Sequence, residues 1–584
     1  MRDGAVGAAM NSGELTRREK DVLVALCRPL STEDVVAQPA SVREIAAELV
    51  VTEAAVKQHL IHLYDKLGIT EGGGERRRVT LAREAVRLGL VAAPERSSPQ
   101  AEGASDDDPL ASARASWRRH EWDRAAELFE LAAARAPLAA DDLVLQAEAY
   151  LWANRHDESF TANERAYQAY LQAGAETRAG YVAVLLTFHN AVRLDMAVAR
   201  GWLAKAQKLL EPECREYGYL ALVVTLLKEA AGDWDAVLEQ ADHMAELGRR
   251  HKDPDLEALG LAFRGLVATR RGALEEGGLL LDEAMASAVA GELGMLATGI
   301  VYCRMLTTCL ALQDYRRAGE WTDVVDRCGH TTGLGGFPGD CQMHRTAVLV
   351  KRGSWARGEE EALRAFEEAR GFDLPHAGGA SYELGGIRLR QGDLDAAEEA
   401  FLRAHEFGSS AQPGMALVQL ARGETAAAAA SIEDACENSM LDALARAPLL
   451  NARVEIELAM GNLDSLRDVA GELEETARTF GTPALGASAA YARGAALLMA
   501  GDMDEAMRLL ADAQRLWLDA EAPYEAARTR ELLAQAQFAA GKHESSRLEL
   551  RATQAAFTRL GAPIDIERVE RRLASLAQVS PPAS

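Results

Sequence analysis

The sequence predicts an all-α protein: a small four-helix domain built on a helix-turn-helix, followed by an α-solenoid of stacked helical hairpins. Three observations predict it. Residues 14–91 carry capped apolar stripes at helical spacing. Residues 92–109 are rich in Pro, Ser, Gly and Asp and read as a flexible linker. From 110 to 575 one two-helix unit recurs, punctuated by turn glycines.

The N-terminal helices follow from capping chemistry. Thr16-Arg17-Arg18-Glu19 and Ser41-Val42-Arg43-Glu44 are boxes in which hydroxyl and carboxylate each satisfy an amide left open at a helix start. Thr52 can cap a third helix, with Ala55 leaving that box incomplete. Val22, Leu23 and Leu26 form the apolar stripe of the first helix; Ile45, Ala46 and Leu49 form that of the second. Val56, Leu60, Leu63 and Leu67 line one face of the third. Val50-Val51 joins helices two and three too briefly for antiparallel stacking, which favours a steep crossing. With Val56 inward, Ala54, Lys57, Gln58, Ile61 and His62 turn outward. A lysine can meet phosphate or guanine acceptors, a glutamine can pair with adenine through two bonds, and Ile61 can touch a thymine methyl. The same spacing also describes an ordinary solvated helix face.

The stretches LTRREKDVLVAL, REIAAEL, TEAAVKQHLIHLYDKLGI and LAREAVRLGLV, in that order, resemble the four-helix LuxR-type (GerE-type) DNA-binding domain. The resemblance covers about residues 14–91. It implies base contacts from Lys57, Gln58 and Ile61 and phosphate contacts from Thr52, Arg43 and Arg17 or Arg18. It also implies a homodimer through the final helix, Val79 to Leu88, on two half-sites of double-stranded DNA. The chain departs from the family pattern in several places. Ala55 replaces the usual hydroxyl, and Ile61 stands where basic residues are common. Pro29–Ala40 and Thr70–Glu75 are insertions, the second leading into Arg76-Arg77-Arg78.

Beyond the linker the recurring unit is an apolar helix, a Gly-Asp-like turn, and a second helix opening on acidic and small residues. AAGDWDAVLEQA, RQGDLDAAEEAFLRA and MAGDMDEAMRLL are instances. Gly232, Gly272, Gly353, Gly392, Gly423, Gly461, Gly501 and Gly541 mark the period, and Gln313 holds one degenerate turn. Glycine tolerates the left-handed conformation that ends a helix, and the adjacent Asp can cap the next one. Gly392 and Gly423 stand closer together than the others, so one unit is shortened. Trp117 with Trp122, and Trp152, open degenerate first units. The array resembles tetratricopeptide repeats of the longer kind. That resemblance implies a concave groove for a peptide, protein or small-molecule ligand. Trp234, Tyr315, Trp321, Trp355, Tyr382, Tyr491 and Tyr524 fall at repeat positions that read as packing.

The totals narrow the function. The chain has 584 residues and a formal charge of −25, while residues 1–90 hold 13 basic and 13 acidic residues. The acidity therefore belongs to the rest of the chain, and nucleic-acid contact is confined to the N-terminal domain. Seven scattered cysteines suit a reducing cytosol, and neither a secretory leader nor a membrane span is read. One irregular stretch, Arg327 to His344, holds Cys328, His330, Cys341 and His344, a ligand set of zinc type at a spacing uncommon for zinc; an inter-repeat loop with buried thiols is the expectation. No phosphate loop, nucleophile elbow or metalloprotease motif is present, so the chain reads as no enzyme and needs no cofactor. The expectation is a cytoplasmic bacterial transcription regulator whose array senses a ligand or partner. A different class stands beside it: an interaction scaffold whose helix-turn-helix serves only as a dimer module.

Overall fold

In the computed structural model, residues 108–332, 340–437 and 441–579 are described, without the side chains of 326–341 and 577–579. In the N-terminal region the described residues are Arg18, Val22, Leu23, Leu26, Ile45, Val56, His59, Leu60, Leu63, Lys66 and Leu81. The contacts divide the chain into two units, Met1–Asp107 and Asp108–Ser584.

All the described residues of the first unit are helical. Val22, Leu23, Leu26, Ile45, Val56, Leu60, Leu63 and Leu81 are buried. Each of these except Leu81 lies on a stripe that the helical period marks as inward, so the unit has an apolar core fed by residues from across its length. Ala46, Leu49 and Leu67 lie outside the described residues, as do the insertions and the linker up to Asp107.

The second unit is helical throughout its described residues, and the helices alternate strictly as hairpins. Asp108 starts the first of them. Its carboxylate accepts from the amides of Leu110 and Ala111 while Pro109 occupies the first helical position. The last two positions assigned to the linker thus belong to the array. Twelve hairpins follow among the described residues, from Pro109–Arg118 with Trp122–Arg135 to Pro523–Ala539 with His543–Leu560, and Pro563–Val579 closes the stack.

Turn chemistry sets the period. Gly232, Gly272, Gly353, Gly392, Gly423, Gly461, Gly501 and Gly541 all have positive φ, between 71° and 89°, and Gln313 takes φ 55° in the same role. His120, Asn154 and Leu194 do so in the first three hairpins, at φ 57°, 58° and 62°. Where an Asp or Asn follows the turn it caps the second helix: Asp233, Asp393, Asn462 and Asp502 each accept from an amide three residues on. The shortened unit is the ninth. Its first helix, Gly414–Ala421, has only 8 residues.

The array winds tightly enough for its superhelical turns to touch. The turns of hairpins two, three and five to eight each meet the junction about five hairpins further along. His156 meets Phe372, Leu194 meets Gly408, and Gly392 meets Ile564. Arg270 pairs with Asp442, Arg352 with Glu521 at 2.7 Å, and the Thr482 hydroxyl donates to the Leu312 carbonyl at 2.7 Å. Apolar clusters span the same seams: Val350, Trp355 and Ile387 pack with Ala527, Leu550 and Phe557.

Two turn glycines separate local from long-range demands. A Cβ on Gly353 would lie 2.6 Å from Leu560 Cδ2 and 3.0 Å from Pro523 Cγ, whereas one on Gly501 would meet nothing within 4 Å. Gly501→Ala costs only the left-handed backbone, about 1 kcal/mol. Gly353→Ala adds a seam clash and costs about 2–3 kcal/mol. Urea unfolding of the two variants, side by side, measures the difference.

Candidate functional site

The residues expected at a functional surface fall in the first unit, and the array presents a second surface of its own. In the first, Val56, Leu60 and Leu63 are buried on one face of a helix, with His59 between them half-buried. Arg18 is exposed on its own helix. Lys57, Gln58, Ile61, His62, Thr52, Arg43 and Arg17, the other residues expected at DNA, lie outside the described residues, as does Val79–Leu88 apart from Leu81. Leu81 is buried, as an apolar anchor of the final helix would be.

The second surface is the inner face of the array. Arg304, on Met295–Ala311, pairs with Glu229 on Arg215–Ala230, and Arg528, on Pro523–Ala539, pairs with Glu455 on Ala443–Met460. Each pair joins the first helices of hairpins two apart. Such side chains meet only if first helices line the inside of the curve. Charge follows this division. The second helices of the twelve hairpins carry a net formal charge of −18, and the first helices carry +3. The chain's acidity is therefore concentrated on the helices away from the inner face, where it repels polyanions.

Around Tyr524 the inner face is dense with polar groups. The Arg390 guanidinium lies 5.1 Å from the Tyr524 ring centre and 6.0 Å from that of Trp355. Its ion pair with Glu525 is long, at 4.0 Å, and Glu525 Oε2 is buried without a partner. Tyr524 donates to Asp565 at 3.1 Å. Glu383 sits on the same helix as Arg390. Burial raises its carboxyl pKa above the ordinary value, against the pull of Lys351, Arg390 and His344. Burial likewise raises the phenols of Tyr382 and Tyr491. These groups form a polar lining in which Glu525 Oε2 is left without a partner.

The aromatics expected to pack mostly do. Tyr315 and Trp355 are buried, and the Trp355 indole donates to the Val350 carbonyl at 3.1 Å. Trp234 and Trp321 pack against the core of hairpins four to seven. Tyr491 lies against the core of hairpins nine to twelve. Arg390, Arg528, Glu525 and Glu531 escaped the sequence reading. Each belongs to a first helix whose apolar and polar residues are not sorted onto separate faces, so no stripe marks it, and its partners lie in other repeats.

The Arg327–His344 stretch is less irregular than expected. Helices Tyr315–Thr332 and Asp340–Lys351 cover its two ends. The run before Gly333 contains no proline, so the helix continues through Gly329, and the second helix resumes at Asp340. The side chains of Cys328, His330 and Cys341 lie outside the described residues. His344 is buried, with Nε2 3.0 Å from the Thr307 hydroxyl and its ring 6.1 Å from that of His376. Among the described residues no three metal-ligating side chains are grouped, and no helix is long and apolar enough to cross a membrane.

No protein-family model matches the chain, and no curated protein matches it in sequence. Solved structures similar to it include the Cut9–Hcn1 hetero-tetramer of the APC/C, at 11% identity, covering 80% of this chain and 97% of that one, with a TM-score of 0.32. Yeast Tom70 is similar at 11% identity over 81% of this chain and 98% of that one, with a TM-score of 0.32. A signal-transduction ATPase with a tetratricopeptide-repeat sensor from Pyrococcus horikoshii has 15% identity over 68% of this chain and 63% of that one, at a TM-score of 0.29. The architecture itself rests on the hairpins: the chain carries a tetratricopeptide-like α-solenoid.

Proposed function

We propose that the chain is an interaction scaffold whose repeat array holds a peptide or protein segment against its inner face. The observation that carries this reading is the division of charge. Acidity is gathered on the second helices, while the first helices present arginines, tyrosines and carboxylates, with Arg304 Nε and Glu525 Oε2 buried without a partner. The test compares affinity purification of the full chain with that of Glu525→Gln and Arg390→Ala variants. A stoichiometric partner that is retained by the parent and lost from both folded variants supports the reading. Equal recovery by all three sinks it.

A second reading is favoured by a separate observation, the buried stripes Val22–Leu23–Leu26 and Val56–Leu60–Leu63 in an order resembling LuxR-type domains. On this reading the first unit binds double-stranded DNA as a dimer and the array governs it. Lys57→Ala with Gln58→Ala then removes two base contacts worth about 1–3 kcal/mol each, lowering affinity tenfold or more. Genome-wide footprinting identifies the sites, and gel shifts at low salt measure the loss. Binding without sequence preference, unchanged in the double variant, excludes this reading.

A further inference from the structure

One seam of the array differs in chemistry from the rest. His156, the first residue of His156–Gln172, stacks on Phe372 with ring centres 3.9 Å apart and planes 8° from parallel. His189, on Glu176–Val192, meets the edge of the same Phe372 ring at 5.2 Å and lies 5.0 Å from Phe160. His156 Nδ1 is buried without a partner, and His189 is 7% exposed. Beside them Leu194 packs over Gly408. The other seams are made by apolar side chains, a Thr hydroxyl and arginine–carboxylate pairs, none of which changes charge between pH 5 and 8.

We propose that His156 and His189 form an acid-labile clasp on Phe372, which holds hairpins two and three against the junction of hairpins seven and eight. Protonation of the imidazoles releases this seam while the others stay closed. The proposal is independent of both functional readings.

The electrostatic surroundings decide the direction. Burial first, and the nearby Arg193 charge second, lower the pKa of His156 to about 4, against Asp157, Asp373 and Glu158. Burial lowers that of His189 to about 4 as well, helped by Arg193 and by His156, against Asp157 and Asp195. The opposing carboxylates have other partners. Asp157 pairs with Arg193 at 3.0 Å, Glu158 with Arg155 at 3.0 Å, and Asp373 lies 2.8 Å from His376 Nδ1. An imidazolium over Phe372 would gain a cation–π contact, but it would lose its water and face Arg193.

The sign follows from linkage. A base whose folded pKa is depressed stabilises the closed form fully above its unfolded pKa, near 6.5, and loses that contribution as pH falls toward 4. At pH 5 each histidine shifts the equilibrium toward the open form by about 30-fold.

The full chain is to be followed by hydrogen exchange, corrected for intrinsic rates, between pH 7.5 and 5. In the parent, turn segments 153–157 and 370–374 should lose protection by about 30-fold or more, while the seam at Gly353 and Pro523 keeps its protection. The His156→Phe/His189→Phe variant keeps aromatic packing without a titrating group, and its protection should not depend on pH. Histidine-labelled NMR, with peaks assigned from the single variants, should place both titrations well below 6. A pKa at or above 6 for both histidines overturns the proposal, as does the same pH profile in parent and double variant. The NMR titration needs only the parent fold and one single variant to be intact.

Discussion

Phe557→Ala is expected to destabilise the array by about 3–5 kcal/mol, because it removes a fully buried ring at a seam between superhelical turns. Phe557 packs in a cluster with Val350, Trp355 and Ile387 from hairpins seven and eight and with Ala527, Leu550 and Val569 from the C-terminal end. Its ring lies 5.8 Å from that of Tyr524. The cavity therefore weakens both the local hairpin and the contact with residues about two hundred positions earlier. Hydrogen exchange should show raised rates in two separate segments, Pro523–Leu560 and Asp340–Gln391. A loss confined to the first segment would show that the seam contributes little.

The second large effect is expected at Arg568. Its guanidinium donates to Glu531 at 2.9 and 2.7 Å and to Asp565 at 2.5 Å, and Arg572 adds a bond to Glu531 at 2.9 Å. The Glu531 and Asp565 side chains are 5% and 7% exposed. Arg568→Ala leaves two buried carboxylates short of compensation, which costs about 3–5 kcal/mol. Desolvation opposes ionisation of Glu531, but the Arg568 hydrogen bonds and the charges of Arg568, Arg572 and Arg528 outweigh it, so its pKa is lowered. A carboxylate with a lowered folded pKa contributes stability above its unfolded pKa, near 4.5, and loses it as pH falls. The gap between parent and Arg568→Ala should therefore be widest at neutral pH and shrink below about pH 4.5. Adding Glu531→Gln to the variant should recover part of the loss. Urea titrations of the four proteins in the cycle, at pH 7 and pH 4, measure both effects.

Much of the array was legible because its determinants are local. All eight turn glycines named from the sequence take the left-handed conformation, and Gln313 substitutes for one as expected. The shortened unit between Gly392 and Gly423 is a first helix of 8 residues. The first three turns were harder to read. They place His120, Asn154 and Leu194 at positive φ, a conformation that neighbouring packing holds against an intrinsic cost of about 1–2 kcal/mol. In the first unit the stripe residues that are described are buried, while the residues expected to touch DNA lie outside the described set.

The all-α class, the hairpin repeat, the turn positions and the inward stripes are all local properties of the chain. Each depends on helical period, capping or left-handed glycine, and these act over a few residues. The tertiary structure alone decided which turns touch, where the inner face lies, and which charges meet across it. Arg270 and Asp442 are 172 residues apart, and Arg528 and Glu455 are 73 apart. Their meeting depends on the pitch of the superhelix. Small packing angles summed over several hairpin interfaces set that pitch, and no single repeat encodes it.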